Sequence, residues 1–209
     1  ALAQGTGDLD RLQRGWRWSR GGVTFDLLDR DARWSSAEAD AVRQALDRLP
    51  DVLLRKVAEI QVRRFYRDPK PLGRDGRPRP SASATTVIEK GWIAYGDSLF
   101  GDTPDPMRVY ATVTHELGHC VQYALAGHGP LLSRIKTVAL GTPGFTTISW
   151  TSAITDGLRS YNGFVSDYAR TDDREDFAES VEFYWLAPDE LRRVNPRKFA
   201  FMRDRVFEG

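Results

Sequence analysis

An α+β fold is predicted for this chain. Stretches in which apolar residues alternate with polar ones fall within the first hundred positions, and apolar residues recurring every three or four positions dominate afterwards, so strand patterns come mainly first and helical patterns second. The expected architecture is a small mixed or antiparallel sheet with an edge strand packed on a helix that carries functional residues, followed by a mainly helical C-terminal half. With 209 residues, 41% hydrophobic and 11% aromatic, the chain can bury one sizeable core and little more. A single domain over 1–209 is therefore expected, with a strand-rich lobe over 1–100 and a helical lobe over 101–209.

The elements follow in order. "GGVTFDLLDRD" alternates Val23, Phe25 and Leu27 with polar neighbours, the pattern of a half-buried strand. Ser35 or Ser36 can cap a helix whose apolar face is Val42, Leu46 and Leu49 and which ends at Pro50. "EIQVRRFY" reads as a second strand, with Ile60, Val62 and Phe65 inward. Residues 67–83 carry four prolines and two glycines without apolar periodicity, a long surface loop. "TTVIEKGWIAYGDSLF" resumes strand character in two pieces broken near Gly91. Beyond it the chain turns helical, interrupted by a Gly/Ser/Thr-rich stretch from about Gly141 to Gly163.

Composition narrows the function classes. Thirty basic against 29 acidic residues leave a net charge of +1, which favours neither nucleic acid nor an anionic membrane as partner. No apolar run approaches the roughly 18 residues of a membrane span. The one cysteine, Cys120, excludes an intrachain disulfide framework and a four-cysteine zinc site. Ala1, Leu2 and Ala3 fit the small-residue pattern left around a signal-peptidase site and equally fit a trimmed chain. On the first reading the protein is secreted or periplasmic.

The stretch "VTHELGHCVQYAL", residues 113–125, holds two of the three histidines. On a helix over 107–125, Val109, Val113, Leu117, Cys120, Val121 and Ala124 form a buried stripe. Thr112, His115, Glu116, His119 and Tyr123 form another. Four residues make slightly more than one turn, so the imidazoles of His115 and His119 project the same way and can converge on one ion. Neutral imidazole nitrogen suits zinc, and two such ligands leave room for a third protein ligand and a water. Glu116 can reach that water without occupying the metal, as a general base does. Gly118 costs about 1 kcal/mol of helix propensity against Ala, which close approach of another backbone would explain. His128, in "AGHGP", reads as a loop histidine.

A third histidine six residues beyond His119 is ruled out by Leu125, so the remaining ligand is expected to be a downstream carboxylate. "SDYARTDDREDFAESVEFYW" supplies candidates. Thr171, Asp172 or Asp173 can cap a helix there, with Phe177, Val181, Tyr184 and Trp185 on its apolar side. Glu175, Glu179 and Glu182 share a different stripe. Alone they would mark a solvated face; beside a two-histidine half-site, one becomes a ligand candidate and the next a hydrogen-bond partner for an imidazole.

"HELGH" followed by "EDFAES" resembles the gluzincin class of zinc peptidases. "FVSDYARTDDREDFAES" is similar to the catalytic-domain signature of the lethal-factor-type metalloproteases and the Pro-Pro endopeptidases, and the likeness covers about residues 85–186. It implies a zincin-like fold, one zinc ion held by His115, His119 and Glu175, Glu116 as base, and Glu179 as the carboxylate behind the ligands. Tyr168, seven residues ahead of Glu175, falls where the family keeps a tyrosine for the oxyanion; Tyr161 is a nearby alternative. The interval from His119 to Glu175 is longer than the family's.

A zinc endopeptidase that acts as a monomer on peptide or protein substrates is the expected function. The alternatives are a secreted toxin or effector protease of narrow specificity, and a zinc-containing module that binds peptides without cutting them. An extended peptide is expected to pair with an edge strand, for which Trp92, Ile93, Ala94 and Tyr95 are the candidates as the last strand before the motif helix.

Overall fold

The computed structural model describes residues 7–71, 77–78, 82–125, 142–150 and 163–208. The fold is α+β, with a six-stranded mixed sheet. The chain divides into two compact units after Glu116.

In the N-terminal unit the strands are β1 (Asp8–Leu12), β2 (Gly15–Arg20), β3 (Val23–Asp29), β4 (Arg64–Arg67), β5 (Ala84–Val87) and β6 (Trp92–Tyr95), in the order β1-β2-β3-β4-β6-β5. β1, β2 and β3 are antiparallel, β3, β4 and β6 run parallel, and β5 returns antiparallel to β6. Val23, Phe25 and Leu27 are buried, as their alternation predicts. Trp18, Phe25, Phe65 and Tyr95 form a run of ring contacts across β2, β3, β4 and β6, with centroids 5.7, 4.8 and 5.6 Å apart. Such pairs contribute beyond their buried area.

Two helices join β3 to β4. α1 (Ser36–Arg48) starts in a capping box: Ser35 accepts from the Glu38 amide while Glu38 accepts from the Ser35 amide. α2 (Asp51–Glu59) corrects the strand expected over 59–66. Leu53, Leu54, Val57 and Ala58 are buried at helical spacing, and Ile60 belongs to the helix end, so strand structure begins only at Arg64. Phe65 is buried as expected, but Ile60 is only half-buried.

A second correction concerns the sheet edge. β6 is hydrogen-bonded on both sides, to β4 and to β5, and Trp92, Ile93, Ala94 and Tyr95 are all buried. The edge strand is β5. A 3-10 turn over Ile88–Lys90 ends at Gly91 in the left-handed region, φ +67°, and this reversal folds the earlier piece outside the later one. Gly91 has a second reason to lack a side chain, because a Cβ would lie 2.8 Å from the Gln61 carbonyl oxygen. After β6 come the short α3 (Asp97–Phe100) and the long α4 (Pro106–Leu125).

The division between the units falls inside α4, which is one continuous helix. Beyond it the C-terminal unit contains α5 (Thr146–Ser149), α6 (Asp173–Leu186), α7 (Pro188–Val194), α8 (Pro196–Phe201) and a wide helical turn over Met202–Phe207. Asp172 caps α6 by accepting from the amides of Arg174 and Glu175. Pro188 and Pro196 open their helices at the position where a missing N–H costs nothing. Phe145 packs against Phe177 and Phe201, centroids 5.0 and 5.4 Å away. No helix among the described residues is long and apolar enough to cross a membrane.

Candidate metal centre

α4 buries Val109, Val113, Leu117, Cys120 and Val121, while Ala124 is half-buried. That stripe fixes the helix's rotation and so fixes where its polar stripe points. His115 and Glu116 are buried and His119 is half-buried.

Gly118 sits between the histidines, where α6 comes close. A Cβ there would lie 2.9 Å from the Ala178 Cα and 3.2 Å from the Ala178 carbonyl oxygen. The close backbone approach inferred from the sequence is therefore present, and it lets α6 bring its carboxylates to the histidine stripe.

His119 Nε2 lies 3.3 Å from Glu175 Oε2. Ligand atoms on a tetrahedral zinc with bonds of 2.0–2.1 Å are about 3.3 Å apart. One donor atom from each of His115, His119 and Glu175 falls within 4.8 Å of the others. Two imidazoles and a carboxylate suit zinc in their chemistry, and three protein donors leave a position open.

A second grouping joins His115 with Glu179 and Glu182, again within 4.8 Å. Glu179 is buried and its Oε2 accepts from the Ser166 hydroxyl at 2.5 Å. Ser166 in turn accepts from the Ala169 amide at 3.0 Å, so the loop before α6 orients this carboxylate. The two groupings correspond to two ligand registers one helical turn apart. The first offers two imidazoles and one carboxylate, the set that zinc favours of the two.

Glu116 is held separately, within the N-terminal unit. Thr86 on the edge strand β5 donates its hydroxyl to Glu116 Oε2 at 2.5 Å. One carboxylate oxygen is thereby occupied and the side chain's rotation restricted. Neither Thr86 nor Ser166 is marked by any sequence pattern. Each is a single hydroxyl brought in by tertiary folding, 30 and 13 residues from its partner.

Tyr168 stands in the loop ahead of α6 with 53% of its surface exposed. Its carbonyl accepts from both the amide and the hydroxyl of Thr171, which fixes the backbone of the turn. Tyr161 and His128 lie outside the described residues.

Behind the carboxylate stripe, Asp176 turns into the core. It accepts from Lys198 Nζ at 2.5 Å and from Trp150 Nε1 at 2.9 Å. Burial pushes the Asp176 carboxyl above its ordinary range and the Lys198 ammonium below its own, while their mutual attraction opposes both shifts. Lys198 also donates to the Gly163 carbonyl at 2.8 Å, fastening the start of the loop that carries Ser166 and Tyr168.

No protein-family model and no curated protein matches this chain. The chemistry open to it is set by its own donor groups.

Proposed function

We propose that this chain is a zinc-dependent endopeptidase of the gluzincin type, with one zinc ion held by His115, His119 and Glu175. The observation that carries the reading is the convergence of those three donors within 4.8 Å, with Glu116 next in sequence to the first of them. The likeness of "HELGH" and "EDFAES" to the lethal-factor-type metalloproteases and Pro-Pro endopeptidases supports it.

A zinc ion bound there supplies a Lewis acid for the scissile carbonyl and lowers the pKa of the attacking water towards 7. Glu116 takes the proton from that water and hands it to the leaving amine. Thr86 holds one oxygen of Glu116, which leaves the other for the water. Glu179, itself fixed by Ser166, orients the His115 imidazole. Tyr168 donates to the oxyanion, a contribution of about 2.7–4 kcal/mol where such a donor has been removed. The peptide pairs with β5, the sheet edge that also carries Thr86, rather than with β6.

The test is turnover of a mixed peptide library read by mass spectrometry, together with zinc content. Glu116→Ala should keep its zinc and lose roughly 10²- to 10⁴-fold in kcat, the usual contribution of a general base. Hydrolysis near the wild-type rate in that variant would refute the proposal. A wild-type protein that binds zinc and cuts nothing in the library would leave the two alternatives, a protease of narrow specificity or a binding module.

A further inference from the structure

Four arginines converge on one cavity in the N-terminal unit. The cavity has a volume of about 230 Å³ and is lined by Arg11, Gln13, Arg14, Asp29, Arg30 and Arg33. It lies where the β1–β2 turn meets the end of β3. Four arginines against one aspartate in the lining leave a local excess of three formal positive charges, in a chain whose net charge is +1.

Two of these guanidinium groups are held in place. Arg11 lies over the Trp16 ring at 4.8 Å and donates to the Gly15 carbonyl at 3.2 Å. Arg30 lies 5.0 Å from the Trp92 ring and 5.5 Å from Tyr66. Stacking fixes the plane of a guanidinium while leaving edge N–H groups to donate. Arg14 and Arg33 have no carboxylate partner among the described residues. Asp29 is engaged through Oδ1 with the Trp34 amide at 3.0 Å, and the one carboxylate paired with Arg30 among the described residues is that of the exposed Asp31, at 3.6 Å.

We propose that this cavity is a binding site for a phosphoryl oxyanion, independent of the metal centre. A carboxylate offers two oxygens in one plane, and one arginine fork satisfies it. Four guanidinium groups arriving from a strand, a turn and the loop after β3 match a tetrahedral oxyanion, whose oxygens point in several directions and whose charge exceeds one. The phosphoryl group can belong to a free phosphate compound or to a lipid headgroup.

Inorganic pyrophosphate is titrated calorimetrically into the full chain at low ionic strength. The wild type should show one saturable site. Arg14→Ala with Arg33→Ala should weaken it by roughly tenfold or more, through loss of two charge-assisted forks. Arg55→Ala with Arg205→Ala removes the same charge from exposed positions elsewhere and should leave the affinity within about twofold, since long-range charge is screened. The Glu175→Gln variant should bind as the wild type does, which separates this site from pyrophosphate captured by a metal. Thermal melting confirms folding of the variants, and Arg33→Gln alone replaces the double change if that one fails to fold. No saturable binding in the wild type, or an equal loss in the Arg55/Arg205 control, overturns the site. Sedimentation with anionic phospholipid vesicles then identifies the source: capture that pyrophosphate competes away and the Arg14/Arg33 change abolishes assigns a headgroup, and pyrophosphate binding without capture assigns a free phosphate compound.

Discussion

Glu175 and Glu179 are alike in composition and share a helix stripe, yet their surroundings differ. Glu175 meets His119 at 3.3 Å, while Glu179 is tied to Ser166 and grouped with His115. Glu175→Gln should therefore lose most of its zinc at moderate chelator concentration, since an anionic donor becomes a weak neutral one. Glu179→Gln keeps an acceptor and should lose no more than about 10- to 100-fold in affinity or activity. Zinc retained after dialysis against a graded chelator decides between them; if the Glu179 variant empties first, the register is wrong by one turn. Thr86 has a different signature. Thr86→Val should lower kcat with KM and zinc content unchanged, because only the hydroxyl that orients Glu116 is removed, and Thr86→Ser should restore it. Equal kcat in all three proteins would remove Thr86 from the site. The histidines and Glu116 were legible because their relation is local, one helical turn. Thr86 and Ser166 were not, because a hydroxyl that acts across 30 or 13 residues leaves no periodic trace.

Elements were legible where the apolar spacing was unambiguous and lost where two spacings overlapped. α4 carries the expected buried stripe, and α6 is helical where expected, with Asp172 serving as cap among the three expected candidates; its burial runs continuously over residues 176–181, and Tyr184 and Trp185 are only half-buried. In 51–62, Val57, Ile60 and Val62 satisfy a helical spacing early and an alternating one late, and the helix prevails because Leu53 and Leu54 are buried with Val57. β1 and β2 leave no clear apolar alternation in the sequence, because β1 has no buried residue and β2 interleaves Trp16 and Trp18 with arginines. Sequence order points to β6 as the edge but does not reveal which strand of a hairpin lies outside, and that strand is β5. The close approach at Gly118 yields an element-scale expectation. Gly118→Ala gains about 1 kcal/mol of helix propensity, but its Cβ meets the Ala178 backbone at 2.9 Å, and overpacking costs about 1–3 kcal/mol. The net effect should be a lower melting temperature and weaker zinc binding at unchanged helix content by circular dichroism. Adding Ala178→Gly should not rescue it, since the atoms met are Cα and carbonyl oxygen. A variant as stable and as zinc-tight as the wild type would mean that α6 can give way there.

With one cysteine and no possible intrachain disulfide, the stability of the molecule has to come from its cores. That of the C-terminal unit contains a charge pair with no solvent exposure on either side chain, Lys198 with Asp176. A buried pair is weak evidence for stability, because desolvation offsets most of the attraction, but breaking one leaves a charge without a partner. Here the pair also serves the fold: Lys198 fastens Gly163 at the head of the loop that leads to Ser166 and Tyr168, and Asp176 holds Trp150. Lys198→Met should cost about 3–5 kcal/mol, read from urea unfolding by tryptophan fluorescence. Adding Asp176→Leu should return part of that loss and not all, because the Gly163 carbonyl and the Trp150 N–H would still lack the partners they now have. A single change costing under about 1 kcal/mol would show that water or a rearranged side chain compensates the carboxylate. Full recovery in the double variant would show that the bonds to Gly163 and Trp150 contribute nothing, and the loop would then owe its place to Ser166 and the Asp172 cap alone.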